Sequence, residues 1–231
     1  MAFFERDGVI WTIVIIGVLF CGICLGLLIE GKGHFLPTLS GFATAFGTLL
    51  LGVAAIKGVN QWKSEIRGRT EFEAAKNYLR AAYHLRKELN YCRSPMISAQ
   101  EFPDGYNPLE ANASERSSAH AHVYANRWAD VANAFVDLEA ASIEAEVLWG
   151  KQVIPLTAAI KRCVTRLRAS MQASLRNIAS GGRNFQANPE FGERIEQDIT
   201  YAGDEDDNEL ESLLTDAISA IEEFTKQHLP S

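Results

Sequence analysis

The sequence contains few cysteines, four in 231 residues, and their spacing does not fit a framework of disulfide bonds. Cys21 and Cys24 lie within one apolar segment, whereas Cys92 and Cys163 lie far apart along the chain. Free thiols in a reducing compartment are therefore the simpler interpretation. The CxxC spacing of the first pair does not indicate redox chemistry, because a reactive thiolate needs a helix N-terminus and these residues fall in the middle of the apolar segment.

The chain also lacks an excess of positive charge. Its net charge of −7 argues against general nucleic-acid binding, which requires a basic surface, so we expect no nucleic-acid partner. Basic residues cluster between Lys161 and Arg176, and acidic residues cluster at 190–223. The simplest interpretation is that these charges lie on solvent-exposed faces and that some of them pair with each other. Contact of the basic face with anionic lipid or an acidic partner is the alternative.

Recognisable catalytic and metal-binding motifs are absent as well, including phosphate loops, nucleophile elbows, kinase motifs and HExxH. His120 and His122 are two positions apart, so on a helix they point about 200° apart and cannot share a metal ion. The acidic stretch 204–208 begins like a calcium loop, but glutamate occupies the position that requires glycine. We therefore expect no catalytic residue, no metal and no cofactor. The alternative is an enzyme whose active site is assembled from residues distant in sequence, with a pocket near Trp128 and Trp149.

Two long segments without a charged residue, 9–28 and 35–56, lie near the N-terminus. A helix of roughly 20 residues spans about 30 Å, which matches the hydrocarbon thickness of a bilayer. The short polar stretch between the segments joins them into a predicted two-helix transmembrane hairpin, residues 1–62. No small-residue cleavage site follows the first segment, so we do not interpret it as a signal peptide.

The charges beside these segments predict the orientation of the hairpin. Lys57, Lys63, Arg67 and Arg69 follow the second segment, whereas the predicted tip carries a single lysine. Because lysine and arginine mark the cytoplasmic side, we expect both termini in the cytoplasm and only the tip outside. Trp62 and Lys63 are the predicted anchors at the inner membrane interface.

Small residues recur at four-residue spacing in both apolar segments, a pattern that lets helix backbones approach closely in lipid. Packing of the two spans on each other is the simplest interpretation, and oligomerisation through the same faces is the alternative. A polar pore is less favoured, because neither span contains an ionisable residue. The predicted packing residues are Gly22, Gly26, Ser40, Thr44, Thr48 and Gly52.

The remainder of the chain, 63–231, predicts a cytoplasmic domain of about four helices. Apolar residues recur three or four positions apart, and outside the predicted membrane spans no stretch alternates as a strand would. The predicted helices cover approximately 63–91, 115–149, 155–180 and 208–228.

The second of these helices carries the clearest signal, a heptad seam sustained over more than three heptads. Asn208 and Glu211 predict a capping box at the start of the last helix. The predicted fold class is therefore all-α, a membrane hairpin followed by an antiparallel bundle with coiled-coil-like packing. The predicted seam residues are Tyr124, Trp128, Val131, Phe135 and Leu138.

The stretches Trp62–Glu65, Glu71–Leu79 and Tyr83–Arg86 resemble a juncture found in uncharacterised bacterial membrane proteins, which join a two-span hairpin to a helical cytoplasmic region. The resemblance covers about 35–95 and implies a location in the bacterial inner membrane. It implies no activity and no catalytic residue.

The sequence thus predicts a non-enzymatic interaction or assembly module, anchored in the bacterial inner membrane, that binds itself or a protein partner. The alternative is an oligomerising, membrane-perturbing effector of a defence or stress response, with the helical bundle as its sensor. Whether the first soluble helix continues from the second span stays open.

Overall fold

A computed structural model of the chain describes Gly17, residues 35–201 and residues 208–229, and the side chains of 35–43 and 45 lie outside that description. Within these residues the protein is all-α, without a strand. The chain divides into two compact units, Met1–Ile66 and Arg67–Ser231.

Six α-helices and two short 3-10 helices make up the described part of the chain. The α-helices are α1 (Phe35–Cys92), α2 (Ala113–Trp149), α3 (Val153–Ala179), α4 (Arg183–Ala187), α5 (Pro189–Ile199) and α6 (Glu209–Lys226). The 3-10 helices cover Ala99–Glu101, before α2, and Gly150–Gln152, between α2 and α3.

Helix α1 is one uninterrupted helix of 58 residues, which answers the question that the sequence left open. The first predicted membrane span, 9–28, lies outside the described residues except for Gly17. Among the residues that are described, no helix is both long enough and apolar enough to cross a membrane. The transmembrane hairpin is therefore not supported by the described structure and stays a prediction.

The core of the second unit lies between the C-terminal part of α1 and helices α2, α3 and α6, and α3 packs against α2, α5 and α6. Burying each large aliphatic or aromatic side chain contributes about 1.5–3 kcal/mol. The largest fully buried apolar side chains are Tyr78, Leu85, Leu89, Val123, Val131, Leu138, Ile160, Leu167, Leu214, Ile218 and Ile221.

Local signals fix the ends of α2 and the start of α3. Asn112 accepts a hydrogen bond from the backbone N–H of Glu115 (3.0 Å), and its own N–H donates to the Glu115 carboxylate (2.8 Å). This capping box starts α2 two residues before the predicted start. Gly150 ends α2 with a φ of 78°, which favours glycine. Pro155 then lies inside the first turn of α3, where its missing N–H removes no helical hydrogen bond.

The prediction of about four helices omits helix α5. This helix lies in a segment that the sequence analysis describes only as acidic. Asn188 caps it by accepting from the N–H of Phe191 (3.2 Å), and Pro189 occupies its first turn. Phe191, Ile195 and Ile199 recur every four residues, so the signal was present in the sequence.

A chain of hydroxyl groups crosses the interior between α1, α2 and α3. The Tyr78 hydroxyl is hydrogen-bonded to Thr157 (2.8 Å), and Thr157 is also hydrogen-bonded to Ser142 (2.6 Å). Burial raises the pKa of Tyr78, so this group stays protonated and can act as a donor. The three hydroxyls satisfy one another where water has little access.

Arg127 of α2 holds the segment that leads out of α1. Its guanidinium donates to the Glu101 carboxylate (2.6 Å) and to the carbonyl oxygens of Ser94 (2.7 Å) and Met96 (2.6 Å). The hydrogen bond from Arg127 lowers the pKa of Glu101, which stays ionised. The segment is therefore fixed by one nearly buried cation.

A second buried arginine, Arg93, fastens α5 and α6 to the end of α1. Its guanidinium is 1% exposed and donates to the Glu211 carboxylate at 2.6 Å. It also donates to the carbonyl oxygens of Asp198 (2.8 Å) and Thr200 (3.1 Å), at the C-terminus of α5. Carbonyls there have no partner within their own helix, so Arg93 caps α5 and binds α6 with one side chain.

Removing Arg93 should destabilise this unit strongly. We expect Arg93→Met to lower the free energy of unfolding by about 3–5 kcal/mol, because the Glu211 carboxylate would stay buried without its main partner. Adding Glu211→Gln should recover part of that loss. Chemical denaturation followed by circular dichroism measures both. Arg67→Met removes an exposed pair with Glu71 (2.8 Å) and should change stability by less than about 1 kcal/mol. Equal effects of the two arginine substitutions would contradict this assignment.

Candidate interaction surface

Helix α2 carries two apolar stripes, and the first of them faces the core. Within the predicted seam, Val131 and Leu138 are fully buried. Tyr124, Trp128 and Phe135 are partly buried and pack against the core. The structure therefore brings the predicted seam residues together on the inner side of α2.

The second stripe of α2 faces away from the core. Its members follow one another at steps of three or four residues, which keeps them on one side of an α-helix. Val136, Ile143 and Val147 are 62%, 65% and 81% exposed. We call this set the outer stripe: Ala125, Ala129, Ala132, Val136, Ala140, Ile143 and Val147, all of them exposed.

Sequence reasoning missed the outer stripe, because its alanines are weak signals and the aromatic seam on the opposite side of α2 is much stronger. The signal that could have revealed it is the double pattern in α2. A helix that buries one stripe has polar residues on its opposite side, whereas α2 repeats small and β-branched residues there.

Carboxylates border the outer stripe on both sides. From Asp130 to Trp149, α2 contains five acidic residues and no lysine or arginine. Helical geometry places the two groups at opposite edges of the stripe, with successive members seven residues apart. We call them the acidic borders: Asp130, Asp137 and Glu144 along one edge, and Glu139 and Glu146 along the other.

Two of these five carboxylates pair with a side chain in the described part of the chain. Asp137 lies 4.0 Å from the His84 ring, and Glu139 lies 3.4 Å from Lys161. In the described part of the chain no cation forms an ion pair with Asp130, Glu144 or Glu146, which leaves three members of the borders available to another molecule.

Glu146, one member of the acidic borders, also opposes the stability of α2 itself. A helix C-terminus carries partial negative charge and is stabilised by nearby cations. The last turn of α2 instead contains Glu146 and no basic residue. The effect is only about 0.3–1 kcal/mol, but its sign shows that the helix dipole does not favour a carboxylate at Glu146.

A cleft of about 490 Å³ runs along one edge of the outer stripe, between α1 and α2. Arg80 and His84 of α1 line it opposite Asp137 and Glu144 of α2, and Ala140 of the outer stripe lies in its wall. The α1 side of the surface therefore contributes an arginine and a histidine to the cleft.

The described structure does not bring the two tryptophans of the predicted pocket together. Trp128 and Trp149 lie on the same helix, 21 positions apart, so about 30 Å separates them. Trp128 is covered by the guanidinium of Arg168, 5.5 Å from its ring centroid. Trp149 instead stacks on His228 with ring centroids 4.6 Å apart. The two rings therefore pack against the core at separate places along α2.

The predicted basic helix is α3, and its charges are partly paired. Arg166 contacts the carboxylates of Asp198 and Glu209, each at 2.9 Å, and Ser170 donates to Asp198 at 2.7 Å. The hydrogen bond from Arg166 lowers the pKa of Glu209. These contacts fasten α3 to α5 and α6 and have a structural role.

The histidine and cysteine side chains that the structure describes do not form a metal-ligating group. His120 packs edge-on against the Phe102 ring, and His122 is hydrogen-bonded to Asn126 at 3.0 Å. No group of three or more potential metal-ligating side chains occurs among the described residues. Burial raises the pKa of the Cys92 thiol to about 11, so it is protonated at neutral pH and is a poor nucleophile.

The predicted membrane-packing residues are described only in part. Gly22, Gly26 and the side chain of Ser40 lie outside the described residues. Thr44, Thr48 and Gly52 are exposed on one side of α1, and the Thr48 hydroxyl donates to the Thr44 carbonyl oxygen at 2.8 Å. The predicted interfacial anchors Trp62 and Lys63 are exposed as well.

The chain matches no protein-family model, no curated protein and no solved structure.

Truncating a side chain in the buried stripe of α2 should destabilise the protein much more than truncating one in the outer stripe. Leu138→Ala, on the buried stripe, should lower the free energy of unfolding by about 2–5 kcal/mol, because it leaves a cavity in the core. Ile143→Ala, on the outer stripe, should change it by less than about 0.5 kcal/mol. Thermal or denaturant unfolding of both variants measures the difference. A large loss from Ile143→Ala would mean that the outer stripe is covered within the chain.

Proposed function

We propose that this protein is a non-enzymatic interaction or assembly module of the bacterial inner membrane. A two-helix hairpin at 9–28 and 35–56 anchors it with both termini in the cytoplasm, and the helical domain binds another protein through the outer stripe. The exposed outer stripe is the observation that carries the proposal.

Exposed apolar residues scattered singly are ordinary, but a continuous stripe along a helix is typical of an interaction surface. The outer stripe runs from Ala125 to Val147, about 33 Å at 1.5 Å per residue. Its members are rigid or branched and lie on a helix whose other side is fixed in the core. Binding would therefore require little ordering of this surface, which favours affinity.

The distribution of reactive groups also supports a non-enzymatic role. The most buried charged groups serve structural pairs, among them Arg93 with Glu211 and Arg166 with Asp198. The described cleft beside the outer stripe presents charges without a nucleophile held by a base.

Two observations and one resemblance support the membrane anchor. The two uncharged segments have the length of a bilayer span. The Thr48 hydroxyl is satisfied by a carbonyl one turn earlier, so it presents no free donor to lipid. The resemblance to two-span bacterial proteins supports the inner membrane in particular.

The mass of the purified complex tests the proposal. We expect full-length protein, extracted from membranes of its native cells in mild detergent, to retain a stoichiometric protein partner. Ile143→Gln combined with Val147→Gln should abolish retention, because two apolar contacts become polar. Leu109→Gln changes a 93% exposed apolar residue outside the stripe and should have no effect. Retention by the double variant, or substrate turnover by the pure protein, would contradict the proposal.

The second candidate function is an oligomerising, membrane-perturbing effector with the bundle as its sensor. The observation that favours it is the exposed small-residue face of α1, formed by Thr44, Thr48 and Gly52. A Cβ atom added at Gly52 meets no described atom within 4 Å, and such a small residue lets another helix backbone approach closely.

Gly52→Leu separates the two candidate functions. If the small-residue face drives oligomerisation, the substitution should convert the oligomer to a smaller species in detergent and remove loss of membrane potential on overexpression. Gly58→Leu is the matched control, because it lies on another side of α1 and also has no neighbour within 4 Å of an added Cβ. Unchanged membrane potential with the wild-type protein correctly inserted would rule against the effector.

A further inference from the structure

We propose that the outer stripe binds a basic amphipathic α-helix of a partner protein. The inference rests on the proposed function and specifies the chemistry of the partner. Its basis is the combination of an exposed apolar stripe with carboxylates along both of its edges.

The shape of the stripe fits a helix lying along α2. Four of its seven members are alanines, which let a second backbone approach closely. Val136, Ile143 and Val147 project between them and can fill gaps between side chains of a facing helix. A partner with apolar residues at three- and four-residue steps over about six turns would match the full length.

The charges of the surface select a basic partner. A helix lying on the outer stripe places the residues beside its own apolar positions against the acidic borders, as at the edges of a coiled coil. Lysine or arginine there would meet Asp130, Glu144 and Glu146, which form no ion pair with any described cation. Such cations would also offset the unfavourable carboxylates at the C-terminal end of α2.

A second copy of this chain fits the same surface poorly. Two outer stripes packed together would bring acidic borders against acidic borders, and like charges across an interface are destabilising. Neither border contains a lysine or arginine that could relieve the repulsion.

A lipid surface fits poorly for the same reason. The cytoplasmic face of a membrane is anionic and attracts basic amphipathic helices. The five carboxylates between Asp130 and Trp149 would be repelled from it. Of the three occupants considered, only a cationic amphipathic helix matches both the apolar stripe and the negative charge of its borders.

The test uses full-length protein in detergent and a fluorescently labelled synthetic helix of about 23 residues, with leucines at three- and four-residue steps and lysines along both edges. Fluorescence anisotropy should show saturable 1:1 binding that weakens as salt rises. A peptide of the same composition in scrambled order, and one with every lysine replaced by glutamate, should both bind at least about tenfold more weakly.

Variants of the protein locate the binding site. Ile143→Gln with Val147→Gln should weaken binding of the lysine peptide by at least about tenfold. Asp137→Asn with Glu144→Gln should weaken it similarly and flatten its salt dependence. Leu109→Gln and the distant acid substitution Glu73→Gln are the matched controls and should leave binding unchanged. All of these positions are exposed, so the variants should fold.

Equal binding of the scrambled or glutamate peptide would overturn the inference, as would lysine-peptide binding that the four substitutions in the outer stripe and its borders leave unchanged. A disulfide between copies of an Ile143→Cys variant that the lysine peptide does not inhibit would also overturn it. If the lysine peptide fails while the outer-stripe substitutions still release the native partner, only the partner class is wrong. If those substitutions release no partner, the proposed function fails as well.

Discussion

The buried guanidinium of Arg93 is the contact through which three separate stretches of the chain meet. Its hydrogen bonds reach residues 105 and 118 positions away along the sequence. The guanidinium caps the end of α5 and binds the first turn of α6. Arg93 itself directly follows the last residue of α1. A buried cation is tolerated only when its donors are satisfied, so these helices must hold their positions for the charge to stay buried.

The remaining charges divide the domain into two regions of different character. Around α3, α5 and α6, arginines and carboxylates pair with each other and hold helices together. Along the outer side of α2, five carboxylates border apolar residues that are exposed in the described part of the chain, and three of the five form no ion pair with a described cation. The charges of the first region stabilise the fold by pairing with each other. In the second region, most of the carboxylates have no ion-pair partner among the described residues. That contrast is the reason for proposing an interaction surface on α2.

The helices were predictable where local signals coincide with a strong apolar period. The sequence predicts the ends of α2 to within two residues and the end of α1 just before Pro95. Helix α5 was missed because it is short and its three apolar residues are separated by charged ones. The Arg93 contacts could not be predicted, because nothing local indicates partners so distant in sequence. The outer stripe was overlooked because alanine gives almost no hydrophobic signal, although its exposure decides the function that we propose.

The short connection between α2 and α3 affects the order in which the domain can fold. Only the 3-10 turn Gly150–Gln152 separates the two helices, so they form a hairpin of local contacts, and such contacts form fast. This hairpin is complete in the sequence before Asp198 and Glu211, the distant partners of Arg93, leave the ribosome. The outer side of α2 is therefore available during synthesis, and a partner could bind the nascent chain before α5 and α6 have docked.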